Sequence, residues 1–289
     1  MGVFTKCVVL LCAAIAATSG RNVRAENVVF HLFTRQNPSV SQPILASVQS
    51  IMSSPLQQAS RTVVTVHDQG DAVAGNFNAF VVPAELTAYD VNVIAIDWSN
   101  SGSPSQVGEA IAYFLDFLVD NFDYDAQGIR LVGFGVGAHI AGIAARKAQA
   151  DITHLIALDP TLNGWSDNPD RLTSNVAVCV ETLHTSALGV ASPVGKLDFY
   201  PNGGSSQNGC EADNTCSHDY AYLFYSESLT AEVQNSELFV GTKCNSYEAA
   251  TQSQCNGAKD IVFGGRAIKE SESGIYTFTT NPSPPFARG

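Results

Sequence analysis

"RLVGFGVGAHIAG", residues 130–142, is the stretch on which the reading of this chain turns. An apolar run ends in Gly133-Phe134-Gly135-Val136-Gly137, and a small-residue, helix-forming segment follows. That is the layout of a G-x-S-x-G nucleophile elbow, a sharp turn presenting a serine between a strand and a helix. The central position here is Gly135. Glycine carries no oxygen with which to attack a carbonyl, and neither neighbour is Ser, Cys or Thr. It does accept the unusual backbone angles that an elbow imposes. A dinucleotide-binding turn would place the third glycine of G-x-G-x-x-G at the helix start, and this spacing does not.

Around the turn, strand-like and helix-like runs alternate. "NVVFHLFT", "RTVVTVHD", "VNVIAIDW", "IRLVGFG" and "ITHLIALDP" read as strands. "SQVGEAIAYFLDFLVDNF" places Val107, Ile111, Phe114, Leu115 and Leu118 at helical spacing, and "GAHIAGIAARKAQA" is alanine-rich. Strands alternating with helices predict βαβ units and a mostly parallel sheet. The chain is long enough for one large α/β domain, and no linker, repeat or low-complexity tract divides it.

The first twenty residues, "MGVFTKCVVLLCAAIAATSG", read as a secretory signal peptide: one lysine, a short apolar run, then small residues. The expected division is a signal peptide at 1–19 and one domain at 20–289, secreted, with no transmembrane segment. Export permits disulfides. Of the five cysteines that remain, Cys210–Cys216 and Cys244–Cys255 are the expected local pairs, which leaves Cys179 as a buried thiol in "NVAVCVETLHT". The net charge of −12 and the lack of a basic stripe argue against nucleic acid and anionic lipid surfaces. No N-glycosylation acceptor survives once proline is excluded.

Downstream of the elbow come an acid, Asp159 in "ALDP", and a histidine, His218 in "CSHDYAYLFYSES". Nucleophile position, acid, histidine is the chain order of α/β-hydrolases. With "NVIAIDWSN", "LHTSALGVASPVGKLDFYPNGG" and "GIYTFTTNPSPPF", these segments resemble the animal secreted lipase family. That family includes pancreatic lipase, the phospholipases A1 and insect lipase-like yolk proteins. The resemblance implies an α/β-hydrolase fold with a mostly parallel sheet flanked by helices, a short lid loop and no C-terminal β-sandwich.

Carried over residue by residue, the resemblance makes Asp159 the triad acid, His218 the general base and Gly135 the position of a lost nucleophile. Asp68 in "TVHDQGDAVAG" stands where the family has the glycine of His-Gly. Gln69 and Val136 then carry the oxyanion-hole N–H groups, and Asp68 brings negative charge toward the place where an oxyanion would form. The Val136 N–H is expected to survive as a donor. His139, His184, Asp97 and Trp98 read as scaffold. Asp167 and Asp170 match a loop in which some lipases hold calcium, but the supporting acid further on is Val176. A solvated acidic loop is the expectation, with no metal and no cofactor. The five residues between Cys210 and Cys216 are too few for a helical lid.

The expectation is a catalytically inactive family member serving as a yolk-type storage protein or carrying a lipid or other apolar ligand. The alternatives are a lipid ester hydrolase of triacylglycerol lipase or phospholipase A1 type with weak or unconventional activity, and a binding partner of an active lipase.

Overall fold

The structure, a computed structural model, describes residues 27–58 and 60–289, so the expected signal peptide lies outside the described residues. In chain order the elements are β1 (Val29–Phe33), β2 (Gln42–Ile44), α1 (Val48–Met52), β3 (Thr62–Val66), α2 (Asn76–Ala88), β4 (Asn92–Asp97), α3 (Pro104–Phe122), β5 (Ile129–Phe134) and α4 (Val136–Lys147). There follow β6 (His154–Leu158), β7 (Cys179–Leu183), β8 (Leu197–Phe199), α5 (Asn214–Gln234), β9 (Val240–Cys244), α6 (Tyr247–Thr251), β10 (Lys259–Val262) and β11 (Gly274–Thr277).

The eleven strands of the described residues form one sheet, ordered β10-β9-β11-β8-β7-β6-β5-β3-β4-β1-β2. The middle of the sheet, from β4 through β3, β5, β6, β7 and β8 to β11, is parallel. Antiparallel strands close both margins. Helices α3 and α4 pack on one face, and α2 and α5 on the other. This is the mostly parallel, doubly covered sheet of an α/β-hydrolase. Central strands β3, β5 and β6 are buried along their whole length, which is why apolar residues dominate them, with polar Thr62, Thr65, Arg130 and His154 buried among them.

Helix α3 begins where local chemistry dictates. Ser103 caps it, Pro104 opens it, and Gln106 reaches back to complete a capping box. Its Val107, Ile111, Phe114, Leu115 and Leu118 are buried against the sheet. At roughly 1.5–3 kcal/mol for each buried side chain, that face outweighs any propensity effect. Both expected disulfides form, Cys210–Cys216 and Cys244–Cys255.

The end of the sheet away from the elbow is closed by a buried ionic network. Glu181 on β7 takes a bond from Lys269 at 2.7 Å and one from His154 on β6 at 3.0 Å. The Arg130 guanidinium donates to His154 Nδ1 (3.1 Å) and to the carbonyls of Gly265 and Arg266 (2.9 and 2.7 Å). Burial and the neighbouring Arg130 charge hold the His154 imidazole down at about 4, so it is neutral. The opposing attraction of Lys269 overcomes burial at Glu181 and holds its carboxyl at about 2. His154, Cys179 and Glu181 are the one cluster of three metal-type ligands among the described residues. Both ring nitrogens of His154 are already engaged, and the Glu181 carboxylate is satisfied by Lys269 and the Gly264 N–H (3.3 Å).

Cys179 is buried, free and pushed up to about 11, first by burial and then by the Glu181 charge. We predict that it resists iodoacetamide at neutral pH in the native protein and alkylates after denaturation. Rapid labelling of the native protein would contradict this burial.

Candidate functional site

The turn from β5 into α4 has elbow geometry. Gly135 adopts φ 58°, ψ −121°, in the positive-φ region that L side chains rarely enter. The flanking glycines are there for close approach: a Cβ on Gly137 would come within 2.1 Å of the Val66 carbonyl oxygen, and one on Gly133 within 2.4 Å of the Gly137 carbonyl oxygen. The first turn of α4 thus lies directly over the ends of β3 and β5.

A Cβ on Gly135 would meet Asp68, at 2.2 Å from Cγ and 2.2 Å from Oδ1. The Asp68 carboxylate fills the space that a side chain on the elbow would occupy. Its Oδ1 accepts the Val136 N–H at 2.6 Å. The expected surviving donor is therefore not free, because a carboxylate oxygen already sits on it. Asp68 thus does more than bring charge near the turn: it accepts the N–H that opens α4. Gln69 stands exposed at the tip of the same turn, which closes through the Asp71 N–H on the Asp68 carbonyl (3.2 Å) and a positive-φ Gly70. His67, fully buried, holds the Asp68 carbonyl through Nδ1 (2.8 Å) and is flanked by Trp98. Trp98 in turn donates its indole N–H to the His67 carbonyl (2.9 Å).

Asp159 follows β6 with φ 42° and is fully buried. Its Oδ1 accepts the backbone N–H groups of Thr185 (2.7 Å) and Ser186 (3.2 Å), and its Oδ2 accepts the Ser186 hydroxyl. Oδ2 also takes His218 Nδ1–H at 2.6 Å. His218 lies in the first turns of α5, a helix capped by Asp213 inside the Cys210–Cys216 loop. Its ring stacks on Phe134 of the elbow strand at 4.3 Å. Asp159 and His218, 59 residues apart in sequence, are therefore in hydrogen-bond contact, which the sequence leaves open.

The far nitrogen of that ring faces Asp68: Nε2 lies 3.4 Å from Oδ2. A carboxylate opposite each nitrogen favours the charged ring, in which both nitrogens donate. Burial alone would lower its pKa. Hydrogen bonds to Asp159 and Asp68, reinforced by their charges, win and hold it up at about 9.

The remaining histidines of the expected scaffold are structural in their contacts. His139 takes the Leu172 N–H on Nδ1 (3.0 Å), gives Nε2–H to the Thr161 carbonyl (2.8 Å) and stacks on Trp165. Burial holds it neutral at about 4. His184 bonds Asp198 (2.9 Å) and the Val190 carbonyl (2.7 Å) and stacks on Tyr200. Asp167 is exposed and Asp170 half-buried in their loop, while Val176 packs into the core with Trp165 and Leu172.

A family model described as Lipase matches residues 9–266. The pancreatic triacylglycerol lipase of Homo sapiens is 30% identical over 266 residues, covering 79% of this chain and 56% of that one. That of Cavia porcellus is 29% identical over 268 residues, 80% and 57% of the two chains. The lipoprotein lipase of Bos taurus is 28% identical over 286 residues, 85% and 59%. The chain thus spans little more than half the length of these curated relatives. With the family match running through the elbow turn, Asp159 and His218, the chain belongs to the lipase family.

Proposed function

We propose that this protein is a secreted lipase-family member that forms no acyl-enzyme, and that its scaffold serves to store or carry, holding an apolar ligand rather than cleaving it. The observation that supports this most is the Asp68 carboxylate, packed against Gly135 and bonded to the Val136 N–H at 2.6 Å. In an active serine hydrolase that position belongs to the attacking oxygen and the oxyanion it creates. Loss of a nucleophile costs on the order of a millionfold in rate. Loss of one oxyanion donor, measured by itself, costs roughly a hundred- to a thousandfold, and such losses do not simply multiply. Together the two leave essentially no acyl transfer. Two disulfides support the secreted reading. Storage as a role rests on likeness to lipase-like yolk proteins.

One observation favours a second reading, weak hydrolysis by water: the His218–Asp159 bond is intact at 2.6 Å. A ring held protonated until about pH 9 cannot take a proton from water at neutral pH. That reading therefore requires activity that climbs through pH 9 and vanishes in His218→Ala.

The test is direct. Purified protein is incubated with a serine-directed fluorophosphonate and, separately, with p-nitrophenyl butyrate at pH 7.5. The expected result is no label and no turnover above the buffer rate. Turnover abolished by His218→Ala would overturn the proposal.

A further inference from the structure

Asp68 completes a triad of its own. Its Oδ2 lies 3.4 Å from His218 Nε2, and His218 Nδ1 gives its proton to Asp159 at 2.6 Å. A nucleophile beside an imidazole that a further group orients is the general signature of covalent catalysis, and carboxylates serve as such nucleophiles. The Asp68 side chain is also the most open of the three, 23% exposed against 8% for His218 and 0% for Asp159. The Val136 N–H fixes Oδ1 at 2.6 Å. Among the described residues, Oδ2 has only the long contact with the ring. It is therefore held in place with a lone pair to spare.

The surroundings decide what such a carboxylate can attack. At an ester carbonyl it would form a mixed anhydride, and the oxyanion would arise where the Val136 N–H is already taken. At a saturated carbon no such oxyanion forms. Charge appears on the leaving oxygen instead, and the group needed there is an acid. His218, held up at about 9, carries a proton on Nε2 beside the attacking oxygen at neutral pH. A strained cyclic ether, an epoxide, is the substrate that uses both the carboxylate and the acid. The rim suits an apolar, uncharged one. Exposed Leu162 and Leu188 stand on loops joined by the Leu162 N–H and the Leu188 carbonyl (2.9 Å), and the adjoining Thr161 N–H bonds the Gly135 carbonyl (3.3 Å). Exposed Phe80 stacks on Tyr222, whose ring meets the edge of Phe134 under His218. The charges of Asp71 and Asp213 act on Asp219 beside His218, and this acidic surrounding disfavours anionic substrates.

We infer that Asp68 is a nucleophile toward apolar epoxides, forming a hydroxyalkyl ester that water then cleaves to a diol. In the first half, an Oδ2 lone pair forms the new O–C bond, the ring C–O bond breaks, and the His218 Nε2 proton passes to the released oxygen. Esterified Asp68 is uncharged, so one of the two carboxylates that raise the ring's pKa is gone and neutral His218 can act as a base. In the second half His218 takes a proton from water as the water oxygen bonds to Asp68 Cγ. The negative charge falls on Oδ1, where the Val136 N–H already points. Collapse breaks the Cγ–Oδ2 bond, and the diol departs with the proton of the new carboxyl group. Asp68 carboxylate and His218 imidazolium are restored, and the sum is epoxide plus water to diol. A second donor at such an oxyanion is worth about a hundred- to a thousandfold, so with one N–H in place the ester is expected to accumulate. This activity goes beyond storing or carrying and forms no acyl-enzyme.

The experiment uses the whole protein with styrene oxide at pH 7.5, followed by intact mass and by diol release. A second reaction, with protein in excess in oxygen-18 water, is followed by peptide mapping. The expected result is a single adduct on Asp68, diol formation above the buffer rate, and oxygen-18 in the Asp68 carboxylate with ordinary oxygen in the diol. Asp68→Asn, checked for native circular dichroism, should lose both adduct and diol. Wild type that gives neither would overturn the inference and leave the carrier reading standing. An adduct mapped to another side chain would overturn it too. Oxygen-18 found only in the diol would show direct attack by water and overturn it without recourse to the variant.

Discussion

Gly135→Ser alone is expected to yield a folded protein with almost no esterase activity, and Gly135→Ser with Asp68→Gly to exceed it by about a hundredfold or more. The reason is spatial. A Cβ at residue 135 would fall 2.2 Å from the Asp68 carboxyl group, so the new side chain and the old one cannot coexist unmoved. In the single variant Asp68 must swing out, losing the Val136 N–H bond, or the serine must strain. Either route is expected to lower stability by about 1–3 kcal/mol. Replacing Asp68 with glycine empties the pocket, frees the Val136 N–H and removes a carboxylate from beside His218. The His218–Asp159 bond is already in place at 2.6 Å. Measured as kcat/KM on p-nitrophenyl butyrate, equal activity in the two variants would show that Asp68 is no obstacle to catalysis.

The second large effect is a pH dependence of stability. The His218 pKa is raised from 6.5 to about 9. A raised folded-state pKa means that the native protein binds the proton more tightly than the unfolded chain. That stabilisation is complete below pH 6.5 and is lost as the pH climbs through 9. A rise of that size corresponds to about 3 kcal/mol. Chemical denaturation between pH 6 and 10 should show this decline in wild type and a much flatter profile in His218→Asn. His139 and His154, both neutral and held at about 4, act in the opposite window: their contribution fades as the pH falls from 6.5 toward 4. In NMR, His218 Hε1 should titrate near 9 in wild type and clearly lower in Asp68→Asn. A wild-type value at or below 6.5 would contradict the two-carboxylate arrangement.

The parts of the fold that are legible in sequence are those whose burial is one-sided or complete. Runs such as "VNVIAI" in β4 and "LIAL" in β6 are buried along the strand, so hydrophobicity alone marks them. The one-sided apolar face of α3 marks that helix in the same way. Helix α2 is not legible, because Pro83 interrupts it and its apolar residues face both the sheet and α5. Helix α5 is hidden by a mixture of Ser, Thr, Tyr and Glu on all sides, several of them buried in bonds to distant partners. Tyr225, for example, bonds Glu85 at 2.6 Å, 140 residues away. The direction of β1, antiparallel to β4, leaves no trace in composition. The proline-rich end packs Phe286 against Phe224 and pins its backbone on Glu227, contacts that depend on the finished fold.

At the site, Gly135, Asp159 and His218 are readable because a motif fixes their order. What Asp68 does is only half readable. Its charge can be placed near the elbow from the sequence, but the meeting of its carboxylate with the Val136 N–H, 68 residues on, is a property of three dimensions. Asp68 fills the space beside Gly135, and that meeting has no sequence spacing of its own.

In this protein the Asp68 carboxylate lies where a side chain on residue 135 would begin, and on the proposed reading it leaves no room for an attacking oxygen on that residue. Rapid-quench mass spectrometry of the unmodified protein with p-nitrophenyl butyrate tests that occupancy most directly. We predict an unchanged intact mass at every quench time. A butyryl adduct mapped to any side chain at the mouth of the elbow would contradict it.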